Sequence, residues 1–76
     1  METTLDKLPL NKKGIIKKID VLGSTRRRLL DLGFIKNTNI IPVLDSFSKG
    51  VRAFYIRGTL IALRNEDSSL IKVSFK

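Results

Sequence analysis

Neither cysteine nor histidine occurs in this 76-residue chain, and that double absence limits what it can fold into before any pattern is considered. No disulfide and no zinc–thiolate or zinc–imidazole centre can staple it. A chain of this length buries only about 60% of the surface its unfolded form exposes. Stability must therefore come from a small apolar core, wrapped by elements that leave few edges open. The 42% hydrophobic content is enough for such a core and argues against disorder. The length allows one domain, residues 1–76.

The order of elements follows from where glycine, proline and asparagine break the apolar runs. Residues 1–13 read as an extended segment laid across the core, since Pro9 keeps Leu8 out of the helical region, with Leu5, Leu8 and Leu10 as anchors. Gly14 opens a first strand, Ile15 to Val21. Ile15 and Ile16 cannot both face inward, so the strand needs a bulge. Gly23-Ser24 ends it; Ser24 is a good N-cap, and Thr25 to Leu32 is rich in helix formers. Gly33 stands where a helix C-cap takes a left-handed residue, and Asn37 can supply the positive φ of the turn that follows. A second strand, Asn39 to Leu44, contains Pro42, which demands an edge or a bulge.

After a polar connection carrying Phe47, a third strand runs from Val51 to Arg57. Gly58-Thr59 turns it into a fourth, Leu60 to Arg64. Asn65 caps one helical turn with Glu66 and Asp67 where the dipole favours acids. The last strand alternates Ile71, Val73 and Phe75 with Lys72, Ser74 and Lys76. The expected fold is mainly β: about five short antiparallel strands forming a small barrel, with one short helix between strands one and two.

The composition excludes most chemistry. Without histidine or cysteine there is no serine triad, no thiol nucleophile and no usual transition-metal ligand set. The seven carboxylates, Glu2, Asp6, Asp20, Asp31, Asp45, Glu66 and Asp67, show no calcium-loop spacing. The five isolated glycines form no phosphate cradle. No catalytic, cofactor or metal residue is assigned, and the chain is read as a binding protein rather than an enzyme. The N-terminus lacks the layout of a secretory signal and no apolar run reaches about 20 residues. With the missing cysteines, this points to the cytoplasm.

Two features suit recognition. Over residues 12–28, Lys12, Lys13, Lys17, Lys18, Arg26, Arg27 and Arg28 face the single Asp20, a net +6 within a chain of net +8. Such charge attracts nucleic acid, acidic proteins or anionic lipid, and is also what a solvated, solubilising face would carry. Arg26-Arg27-Arg28 spans most of a helical turn, so at least one arginine lays its stem over the barrel. The second feature is apolar surplus. Leu29, Leu30, Leu32, Phe34 and Ile35 exceed what a two-turn helix buries on one face. The helix closing an open barrel end would cover most of them and leave a remainder, Leu30 or Phe34, for docking.

Several stretches resemble the ferrous iron transport protein A (FeoA-like) family. Arg28-Leu29-Leu30-Asp31-Leu32-Gly33-Phe34 is similar to its Arg-Leu-x-x-Leu-Gly helix. The run from Tyr55 to Asp67, with Ala62-Leu63-Arg64, resembles its strand–turn–strand signature, Ile71-Lys72-Val73 its closing Ile-x-Val, and Leu8-Pro9-Leu10 with Gly14 its opening. The resemblance covers about residues 5–74. Two stretches depart from the pattern: Lys36-Asn37 replaces a Pro-Gly turn, and Ser46 to Val51 lacks the prolines and acid of the family loop.

The resemblance implies an SH3-like barrel serving a membrane ferrous iron transporter with a cytosolic GTPase domain (FeoB-like) as a cytoplasmic accessory. It implies action by protein–protein contact, without catalysis. The expected contact residues are Arg26, Arg27, Arg28, Leu29, Leu30, Leu32 and Phe34. The basic stretch would also suit the inner face of an anionic membrane. Nucleic acid is disfavoured, because Phe47, Phe54 and Tyr55 are the only aromatics available for stacking. An SH3-type peptide groove is nearly missing with no Trp and one Tyr. Pro42 on an edge strand and the spare leucines leave room for a weak homo-oligomer.

Overall fold

A computed structural model describes residues 1–46 and 48–76; Phe47, expected to be exposed, lies outside the described residues. The apolar runs form six strands: β1 (Glu2–Thr4), β2 (Gly14–Ile19), β3 (Asn39–Ser46), β4 (Val51–Ile56), β5 (Thr59–Arg64) and β6 (Ile71–Ser74). Helix α1 (Gly23–Asp31) joins β2 to β3, and the single turn α2 (Asn65–Ser68) joins β5 to β6. All pairings are antiparallel, in the order β1-β6-β2-β3-β4-β5.

The sixth strand is the one that was not expected. Glu2–Thr4 pairs with β6, because β6 is bonded to β2 along one side and leaves its other edge for a short N-terminal segment to cover. The chain then turns twice rather than running extended, with Lys7 N donating to Thr4 O and Lys12 N to Pro9 O. Leu5 and Leu8 anchor it in full burial, while Leu10 stays exposed. Leu8 packs on Gly14, where an added Cβ would stand 2.9 Å from Leu8 Cδ2.

Strand β3 turns the corner of the sheet. Its start pairs with β2 through Gly14↔Ile40 and Ile15↔Asn39, and its remainder pairs with β4. Pro42 therefore lies in an interior strand, not at an edge, and it sits at a register shift between Pro42 and Leu44. A bulge bends the strand, and there the loop before β2 closes over it, Asn11 N donating to Pro42 O at 2.6 Å. The bulge expected in the first strand is present too. The β2–β6 register shifts between Ile16 and Lys18, with Ile16 buried and Ile15 partly exposed.

The turn between β4 and β5 falls one residue earlier than expected. Arg57 (φ 51°) and Gly58 (φ 79°) form it, with Ile56 opposite Thr59. Two consecutive positive φ angles are what a two-residue hairpin needs to match the strand twist.

Helix α1 also begins differently. Its N-cap is Leu22, without a side-chain cap, and Ser24 lies inside the helix, because Gly23 at φ 70° makes the entry turn by itself. At the other end Gly33 (φ 102°) ends the helix as expected: Gly33 N donates to Leu30 O and Phe34 N to Leu29 O. These are the two bonds of a Schellman motif. In α2 the N-cap is Arg64 rather than Asn65; Asn65 N donates instead to Gly50 O at 2.8 Å.

The core gathers Leu5, Leu8, Ile16, Val21, Leu29, Phe34, Ile40, Phe54, Ile56, Leu63, Ile71 and Val73, contributions from every strand but β1. One charged residue joins it. Arg52 on β4 points inward, its Nη1 donating to Leu5 O at 2.8 Å and its Nε lying 3.3 Å from Asp45 Oδ2 on β3. Because β1 and β5 are opposite ends of the strand order, this arginine links the β3–β4 corner to the chain leaving β1. No described helix is long and apolar enough to cross a membrane.

Candidate docking face around helix α1

The helix meets the barrel through little of its surface. Leu29 is its one buried residue, and Phe34 follows it into the core. Both had been expected among the contact residues; as core side chains they are unavailable to a partner. Their burial follows from the Schellman turn, which brings its third residue from the end and the residue after the glycine together. The helix does not cover the surplus as a barrel plug would. Leu30, Leu32 and Ile35 remain 38%, 40% and 42% exposed, and Leu22 at the helix entry is 82% exposed. Ile35 and Leu22 were not in the expected contact set. No local signal marks Leu22, because Ser24 reads as the N-cap and the bare helix start follows from Gly23 at φ 70°.

The three arginines point to different sides. Arg26 reaches back over the barrel, Nη1 donating to Ile19 O at 2.6 Å. It lines a hollow between α1 and β2. Arg28 lines another, of ≈ 590 Å³, with Ser24, Thr25, Arg64 and Asp67 between α1 and the β5–α2 corner. Arg27 is exposed between them.

The +6 stretch is likewise divided. Lys12 and Lys13 border a hollow with Ile15 and Phe75, while Lys17 and Lys18 stand with Arg26. Lys36, in the turn before β3, joins the latter group. A linear charge count could not find it, because the strand–helix–strand path brings residues 17 and 36 together.

A second apolar surface lies on the outer side of β3–β5. Tyr55 is flanked by its register partners Ile41 and Leu60, and Leu44 stands opposite Ala53; Leu44, Tyr55 and Leu60 are all substantially exposed. Among the described residues no cluster of three or more His, Cys, Asp or Glu could hold a metal ion. The chemistry on offer is apolar contact and cationic attraction.

The FeoA domain family model matches residues 3–74. The chain belongs to the FeoA domain family. A Campylobacter jejuni protein described as a candidate Fe(2+) transport protein A is 28% identical over 71 residues, 93% of this chain and 96% of the relative. The solution structure of the Chlorobium tepidum FeoA protein superposes with a TM-score of 0.89 at 19% identity, covering 96% of this chain and 70% of that one. The zinc complex of Stenotrophomonas maltophilia FeoA gives a TM-score of 0.79 at 25% identity, covering 95% and 89%. That protein is described as an SH3-domain protein and a candidate ferrous iron transport activating factor. The fold of this FeoA-domain chain is thus an SH3-like barrel, as its strand pattern and family resemblance led one to expect.

Proposed function

We propose that this protein is a cytoplasmic accessory that regulates a membrane ferrous iron transporter with a cytosolic GTPase domain (FeoB-like) by docking on it. The observation that carries the reading is the α1 surface: Leu30 and Leu32 exposed beside Arg26, Arg27 and Arg28 on a helix that buries only Leu29. Monomeric proteins rarely leave a rimmed apolar cluster uncovered without a partner. Membership in the FeoA domain family supports ferrous iron transport as the context. Iron is the transporter's cargo, and this chain acts on the transporter without holding the ion. The basic residues add attraction toward the anionic inner membrane surface, on the order of 1 kcal/mol per Lys or Arg near the headgroups.

The test is binding to the cognate transporter in membranes, near physiological salt, with excess competitor DNA. Saturable binding that survives the DNA supports the accessory role. Binding erased by DNA would favour a nucleic-acid protein. That alternative has little behind it, since Phe54 is buried, the exposed Tyr55 lies on the β3–β5 surface, and the cations lie in separate groups elsewhere.

A further inference from the structure

Four cations surround one apolar floor on the β2 side of α1. Lys17, Lys18, Arg26 and Lys36 line a hollow of ≈ 320 Å³ with Leu30 and Ile35, and no acidic residue lines it. Successive strand residues normally alternate faces. The register shift between Ile16 and Lys18 breaks that rule, leaving Lys17 and Lys18 both exposed while Ile16 stays in the core.

The surrounding backbone holds the group in place. Arg26 is fixed by its bond to Ile19 O. The segment carrying Lys36 is bonded to β2, with Asn37 N donating to Ile16 O at 2.7 Å and Ile16 N to Thr38 O at 2.9 Å. Asp20 is the nearby acid; it pairs with Lys18 at 3.6 Å, the lysine largely exposed and the aspartate partly so, so the pair is weak.

We propose that this groove binds an acidic protein segment carrying one large aliphatic or aromatic side chain. The side chain enters between Leu30 and Ile35, and flanking carboxylates meet Lys17, Lys18, Arg26 and Lys36. This deepens the accessory reading and rests on it for the partner being a protein. The excess of positive charge, four cations against the one Asp20, selects an anionic partner. The concave apolar floor selects a partner with an anchor of its own, which a flat layer of lipid headgroups does not supply. The floor is aliphatic and gives a nucleobase nothing aromatic to stack on.

The experiment selects random 12-residue peptides displayed on phage against the immobilised full chain near physiological salt. Selected sequences are then measured as synthetic peptides by fluorescence anisotropy. The variants are K17Q/K18Q/K36Q, L30S, and a control, K7Q/K49Q/K72Q, that removes as many charges elsewhere; melting curves confirm that each is folded. Acidic sequences sharing one large apolar residue are expected. Affinity should fall about tenfold or more in K17Q/K18Q/K36Q and in L30S, but less than about twofold in the control.

Three results would overturn the proposal: selection without acidic enrichment, equal weakening by the groove and control variants, or unchanged peptide affinity in K17Q/K18Q/K36Q with lost binding to phosphatidylserine vesicles. The transporter assay separates the two readings. Transporter binding with failed peptide selection overturns the groove alone. Peptide binding as expected with no transporter binding overturns the accessory role alone.

Discussion

Gly33 is held in a backbone conformation that L side chains rarely adopt. An added Cβ would stand 2.5 Å from Arg57 Cδ, and the backbone holds φ at 102°. Left-handed backbone costs an L-residue roughly 1–2 kcal/mol, and the exposed Arg57 side chain can move aside from an added methyl. Gly33→Ala should therefore lower stability by about 1–2 kcal/mol, measured as a shift in urea midpoint at constant m. Arg52 is the other residue whose surroundings dictate its identity. It is buried between Leu5 O and Asp45. Arg52→Ala should cost about 3 kcal/mol, because Asp45 and the Leu5 carbonyl lose their partner. Arg52→Ala together with Asp45→Asn should cost less than the sum of the two single changes. A sum that is simply additive would show that the pair is not coupled. The glycine was visible in the sequence as a helix stop. The arginine was not, because in a strand of alternating residues a charge reads as outward-facing until the opposite strand is known.

Among the elements, α1 divides its leucines between two tasks. Leu29 fills the core, so Leu29→Ala should destabilise by about 2–5 kcal/mol. Leu30→Ser and Leu32→Ser, both on half-exposed positions, should change stability by roughly 0.5 kcal/mol or less while weakening transporter binding. If Leu30→Ser and Leu32→Ser left transporter affinity intact, the helix would have no part in docking. Helical spacing foretold that one face of α1 meets the barrel. Which leucine faces in was set by the Schellman turn, whose two backbone bonds fix the path of Phe34 and with it the partner of Leu29. Strand β3 makes a similar case. Pro42 announced an edge or a bulge, and the bulge prevailed because β3 has to serve β2 at one end and β4 at the other.

Across the whole molecule the net charge of +8 governs encounter with a partner more than the fold. Changing Arg26, Arg27 and Arg28 together to glutamine should reduce transporter affinity and flatten its salt dependence, as read by titrations at two ionic strengths. Unchanged affinity and salt slope would remove the arginines from the interface. The exposed side of β3–β5 around Leu44, Tyr55 and Leu60 makes self-association a question of concentration, answered by sedimentation at micromolar and millimolar protein. The homo-oligomer first suggested by an edge-strand Pro42 would have to use this surface, the α1 leucines or the outer strands β1 and β5 instead, since β3 is interior.

The sequence by itself determined the class of fold, the order of elements from β2 onward, the helix stop at Gly33, the left-handed Asn37 and the alternation of the last strand. These depend on residues near one another in the chain, where φ preferences and apolar period act directly. Tertiary structure alone decided the sixth strand, the inward Arg52, the burial of Phe34 and the meeting of Lys36 with Lys17 and Lys18. Each depends on which distant segment lies alongside. That is settled by the curvature of the sheet and the bulges in β2 and β3, which no local pattern records.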